Sequence, residues 1–84
     1  MLQDRVVLIT GATGGLGQVA AREMAAQGAR LALVSTSALK LQSQAAALNL
    51  EDGRVMTYAA DLTGADAAQQ AVRAVQQAFG RVDV

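Results

Sequence analysis

Residues Thr10 to Gly17 read Thr-Gly-Ala-Thr-Gly-Gly-Leu-Gly, a glycine-rich turn that directly follows the short apolar run Val6–Thr10. The stretch Gln18 to Gln27 behind it has helical character. A buried strand, a turn whose glycines let backbone amides approach a ligand, and a helix N-terminus with unpaired N–H groups together make a cradle for a diphosphate. In such a cradle Gly11 serves the tight turn, while Gly15 and Gly17 serve close backbone approach and helix–strand packing. Thr13 is placed either to hydrogen-bond a phosphate or to stabilise its own turn. Leu16 is expected to turn its amide to phosphate and its side chain to the core. A Gly-x-Gly-x-x-Ala register beginning at Gly15 starts too far after the strand, and no Lys-Ser/Thr pair follows the glycines as a Walker A loop requires.

The elements that must position this turn alternate along the chain. Val6–Thr10 is rich in β-branched residues, as expected of a parallel strand covered on both faces. Leu16, Ala20 and Met24 recur at helical spacing, and Gly28 sits where a glycine commonly follows a helix. Leu31–Val34 reads as a second strand. Ser35, Thr36 and Ser37 offer three N-caps for a helix whose apolar face carries Leu41, Ala45 and Leu48. After the polar turn Glu51-Asp52-Gly53, Val55–Ala60 reads as a third strand. Thr63 and Asp66 are spaced like a capping box, and Ala68, Val72, Val75 and Phe79 form the stripe of a third helix ended by Gly80. Val82-Asp83-Val84 looks like the start of a fourth strand.

This order predicts an α/β fold, a doubly wound parallel sheet in β-α-β-α-β-α order plus the start of a fourth strand. Right-handed crossovers put the first two helices on one face of the sheet. A fourth strand pairing with the first, on the side away from the second, puts the third helix on the other face. The first strand is then the switch point, and the crevice at its C-terminal end holds the glycine turn.

Composition narrows the chemistry. With seven basic and seven acidic side chains and only Tyr58 and Phe79 as aromatics, the chain lacks a basic, stacking surface for nucleic acid. It has no cysteine and no histidine, which excludes disulfides, Cys/His metal sites and a histidine base. Its longest apolar run is far short of a membrane span, and the first strand begins too early to leave room for a signal peptide. A cytoplasmic protein is the expectation. At 84 residues the chain is at most one domain, with a marginal core if it folds alone.

The register Thr10-Gly11-x-x-x-Gly15-x-Gly17 resembles the glycine loop of the short-chain dehydrogenase/reductases. Three further segments are similar to that family: Ala29–Val34 to its second strand, Asp61-Leu62-Thr63 to the segment ending its third strand, and Ala78 to Val84 to the approach to its fourth. The resemblance covers essentially the whole chain and implies a Rossmann-like fold. It also implies NAD(P)-dependent carbonyl reduction or alcohol oxidation by a homo-oligomeric parent, with Asp61 and Leu62 at the adenine. Asp61 alone could equally brace the turn that follows it.

The family reads the cofactor's 2′ position near the end of the second strand. An acidic residue about 20 positions past the glycines pairs with the ribose hydroxyls of NAD and repels a 2′-phosphate. Here Ser35 stands in that place, followed by Thr36, so NADP is favoured over NAD, with the hydroxyls of Ser35, Thr36 and Ser37 beside the ribose. The basic residue that many NADP-dependent relatives carry is missing both at Thr36 and at Gly14. Gly14 also fits the loop of the extended branch, while Phe79-Gly80-Arg81-Val82-Asp83-Val84 favours the ordinary branch.

The family's catalytic Tyr-x-x-x-Lys is not present, because Leu62 stands four residues after Tyr58 and Thr36 four residues before Lys40. Lys40 reads as a solvated charge and Tyr58 as packing. Residues 1–84 are therefore expected to be the N-terminal, adenine-side portion of a larger reductase, inactive by itself. Two alternatives stay open: a non-catalytic nucleotide-binding or regulatory module, and a polyketide-synthase ketoreductase domain.

Overall fold

The computed structural model describes residues 3–51, 53–62 and 64–83. Strand β1 (Val6–Thr10), helix α1 (Gly15–Ala26), β2 (Arg30–Ser35), α2 (Ala38–Leu48), β3 (Val55–Ala59) and α3 (Ala65–Phe79) follow one another with short connections. The strands form one parallel sheet in the order β1-β2-β3, with Thr10 opposite Val34 and Ser35 opposite Ala59. The sequence expectation of an α/β, Rossmann-like arrangement holds.

Side chains alternate across the sheet, as the pleat requires. Val7, Leu31 and Leu33 face α1 and α2, where they pack with Ala21, Ala29 and Leu41. Val6 and Ala32 face α3, where Val75 is buried with Leu8, Met56, Phe79 and Val82 around it. The first two helices thus cover one face and the third covers the other.

Helix ends follow local chemistry. Gly28 takes φ 87° just past α1, and Gly80 takes φ 80° as the cap of α3, a region glycine enters without a Cβ clash. Ser37 caps α2 by accepting from the Lys40 amide at 3.2 Å. Gly64 is the N-cap of α3, without a side-chain cap. The expected Thr63–Asp66 capping box falls on Thr63, outside the described residues.

Two expected faces hold in part: Met24 on α1 and Val75 and Phe79 on α3 pack against the sheet, whereas Leu16 and Ala68 do not. Leu16 is 84% exposed rather than packed into the core, and the buried residue of α1 is Ala21. On α3 the inward positions are Ala71 and Val75, while Ala68 is exposed.

Residues 82–83 run beside β1, on the side away from β2. The Asp83 amide donates to the Val6 carbonyl at 2.9 Å, and the Val6 amide donates to Asp83 Oδ2 at 2.9 Å. This is where a fourth strand was expected, although no described residue there is assigned to a strand, and Val84 lies outside the described residues.

The Asp83 carboxylate also accepts from Arg81 at 2.6 Å and lies 3.8 Å from Arg5. The Val6 N–H, then Arg81 and Arg5, hold its pKa below the ordinary value of 3.8. A depressed carboxylate contributes stability that is complete above its unfolded pKa and is lost as pH falls through its folded pKa. The acid limb of a urea-midpoint profile, below pH 3.8, should therefore be steeper in the wild-type protein than in Asp83→Asn. Identical limbs would remove Asp83 as the clamp.

Candidate functional site

β1 ends at Thr10, and the chain turns at Gly11 with φ 62° before entering α1. That backbone conformation is strained for any residue with a Cβ. Ala12 is fully buried and donates to the Val34 carbonyl at 3.1 Å, tying the turn to the end of β2. The Gly14 amide closes the turn on the Gly11 carbonyl at 3.1 Å.

Gly17 brings the first turn of α1 against this loop. A Cβ there would lie 2.4 Å from the Gly11 carbonyl oxygen and 2.9 Å from Ala12 Cα. Only a residue without a side chain permits that approach. Gly15 differs, since a Cβ built on it meets nothing within 4 Å. Its missing side chain leaves open space at the helix end.

The N-cap of α1 is Gly14, with no side-chain cap and no acidic residue in the first turn. The first amides of a helix have no intrahelical acceptor, and together with the helix dipole they favour an anion. A diphosphate fits this end, because the amides are uncapped and the glycines leave the approach open.

The loop borders an open cleft of about 410 Å³ lined by Thr10, Gly11, Thr13, Gly14, Val34, Ser35, Thr36, Ala60 and Leu62. Six residues singled out from sequence thus line one space: Gly11, Thr13, Gly14, Ser35, Thr36 and Leu62. Gly17 lies under the loop as a packing residue. Ser37 is used as the cap of α2, and Asp61 is exposed just beyond β3. Leu16 projects outward rather than into the core, so only its amide keeps its expected place at the start of α1.

The hydroxyls at the end of β2 are partly committed. Ser35 is only 9% exposed, its Oγ shares a 2.8 Å hydrogen bond with Thr13 Oγ1, and it accepts from the Ser37 amide at 3.3 Å. Thr36 is exposed on the cleft wall. None of the lining residues is acidic. Thr13 also borders a neighbouring cavity of about 510 Å³, where Lys40 supplies a cation beside Gln18, Ser43 and Gln44.

Sequence reasoning passed over two glutamines. Gln18 Nε2 donates to the Thr13 carbonyl at 2.8 Å, and Gln44 Nε2 donates to the Ala12 carbonyl at 2.8 Å. No periodicity marks either residue, because each acts through its amide on a loop carbonyl, Gln18 on one five residues back and Gln44 from α2.

Known proteins resemble the chain along nearly its whole length. It matches the family described as short chain dehydrogenase over residues 5–84. Levodione reductase of Leifsonia aquatica is 42% identical over 82 residues, which cover 95% of this chain and 31% of the relative. A solved levodione reductase superposes with a TM-score of 0.88 at 41% identity, over 96% of this chain and 32% of that one. The 3-ketoacyl-(acyl-carrier-protein) reductase of Brucella melitensis, solved with NADH, gives 0.88 at 31% identity, over 99% of this chain and 33% of that one. The C-domain of a bacterial malonyl-CoA reductase, solved with NADP, gives 0.85 at 30% identity, over 96% of this chain and 14% of that one. The chain spans about a third of the length of the curated relatives it matches.

Proposed function

The chain belongs to the short-chain dehydrogenase family, and from that membership we propose that it forms the adenosine- and diphosphate-binding part of an NAD(P)-dependent oxidoreductase. The observation that carries the reading is the uncapped N-terminus of α1, held against a glycine turn at the mouth of the cleft. The amides of Gly15, Leu16 and Gly17 and the Thr13 hydroxyl face the diphosphate, while the Gly14 amide, bonded to the Gly11 carbonyl, shapes the turn that presents them. Ser35 and Thr36 border the adenosine ribose, and Leu62, with Asp61 beside it, borders the adenine.

A nicotinamide dinucleotide supplies or accepts the hydride in carbonyl reduction or alcohol oxidation. The residues of this chain contribute binding and orientation rather than proton transfer. Tyr58 sits half-buried within β3, and Lys40 stands exposed on α2 without a tyrosine four residues before it. The proton-transfer residues and the substrate pocket then lie outside residues 1–84, in keeping with a chain that spans about a third of its relatives' length.

NADP is the favoured cofactor. The lining of the cleft carries no carboxylate to repel a 2′-phosphate, Thr36 offers a hydroxyl, and Lys40 adds positive charge in the adjoining cavity. Hydrogen–deuterium exchange of the full-length protein tests the site: NADPH should slow exchange over residues 11–18. Saturable binding that leaves those amides unprotected refutes it.

A further inference from the structure

A diphosphate cradle works only if its peptide planes are held in register, and the two carbonyls at the centre of this turn are held from outside it. The Ala12 carbonyl accepts from Gln44 Nε2 of α2 at 2.8 Å, across 32 residues of sequence. The Thr13 carbonyl accepts from Gln18 Nε2 at 2.8 Å. In a trans peptide the C=O and the following N–H point in opposite directions, and no cis bond occurs among the described residues. Anchoring the Ala12 oxygen on α2 therefore turns the Thr13 N–H away from α2.

Packing alone does not account for Gln44. It lies where α2 meets α1, beside Arg22, Ala47 and Leu48, and its Oε1 is buried without a hydrogen-bond partner among the described residues. An apolar side chain would fill that contact without an unpaired Oε1, but it would leave the Ala12 carbonyl without this donor. The donor end of the amide is what the position uses.

We propose that Gln44 is a positioning residue for the cofactor: its amide fixes the Ala12–Thr13 peptide so that the loop meets the diphosphate preformed. This rests on the reading of the loop as a diphosphate cradle. Both NADH and NADPH carry the diphosphate, so the effect is blind to the 2′ position.

Dissociation constants for NADH in the full-length protein, taken at low and neutral pH, test the proposal. Gln44→Met keeps the length of the side chain and removes the donor, so affinity should fall about tenfold at both pH values. Gln44→Glu should lose affinity similarly at neutral pH, where the carboxylate cannot donate. At low pH the protonated acid donates to the Ala12 carbonyl again, and affinity relative to wild type should recover. That recovery separates positioning from packing, which does not depend on protonation. Wild-type affinity in Gln44→Met, or loss in Gln44→Glu without recovery at low pH, overturns the proposal. Failure of the wild-type protein to bind NADH or NADPH overturns the cradle reading instead.

Discussion

Gly17→Ala should cost the protein both stability and cofactor. The added methyl would sit 2.4 Å from the Gly11 carbonyl oxygen and 3.0 Å from the Ala12 carbonyl carbon, and both neighbours are backbone. Neither can rotate away as a side chain would, so α1 must lift from the turn. Overpacking of this kind costs about 1–3 kcal/mol. The lift also moves the amides of the first helical turn, and hydrogen bonds to an anion weaken steeply as their geometry departs from the ideal, so cofactor affinity should fall with it. Thermal melting and NADPH titration should therefore both change. Gly15→Ala is the control: its Cβ meets nothing in the protein, so melting stays near wild type while affinity falls. If Gly17→Ala melts and binds like wild type, the packing role assigned to this glycine is wrong.

Ser35→Asp should reverse the cofactor preference. Ser35 closes β2 at the edge of the cleft, with its hydroxyl shared between Thr13 and the Ser37 amide. A carboxylate there can accept from both groups, so the position tolerates the change. Its charge would face the 2′-phosphate of NADP, and juxtaposed like charges cost several kcal/mol. NADPH affinity should fall by about 100-fold, which corresponds to roughly 2.7 kcal/mol. NADH affinity should hold or rise, because the new carboxylate accepts from the ribose hydroxyls. The wild-type protein should prefer NADPH. Equal affinities in wild type, or an unchanged ratio in the variant, would remove the NADP assignment while leaving the diphosphate site intact.

The strand order and the position of the glycine turn were legible in the sequence because they rest on strong local signals. Val6–Thr10 and Leu31–Val34 are continuous apolar runs, and Gly28 and Gly80 mark helix ends by conformational need. The orientation of α1 was legible only in part. Apolar spacing selected Leu16, Ala20 and Met24, of which Met24 packs against the core, whereas the contact of Gly17 with Gly11 and Ala12 turns positions 17 and 21, not Leu16, toward the sheet. Glycine and alanine carry almost no hydrophobic signal, so the inward face was hidden by its own small residues. Ala71 replaces Ala68 on α3 for the same reason.

The candidate site shows a similar division. Residue types brought Gly11, Thr13, Gly14, Ser35, Thr36 and Leu62 forward, and the fold places them around one cleft. Sequence could not say which hydroxyls remain available to a ligand. Ser35 and Ser37 are engaged within the protein, leaving Thr36 as the exposed hydroxyl of the three. Side-chain hydrogen bonds between distant elements, such as Gln44 to Ala12, leave no trace in local pattern.

The central claim is that the Gly11–Gly17 turn holds the diphosphate of a nicotinamide dinucleotide, and amide exchange reads it at the atoms involved. Exchange in the full-length protein should slow on saturation with NADPH over residues 11–18, with a second protected stretch at Ser35 and Thr36. Protection confined to other parts of the protein, or no saturable binding of either dinucleotide, would contradict the account.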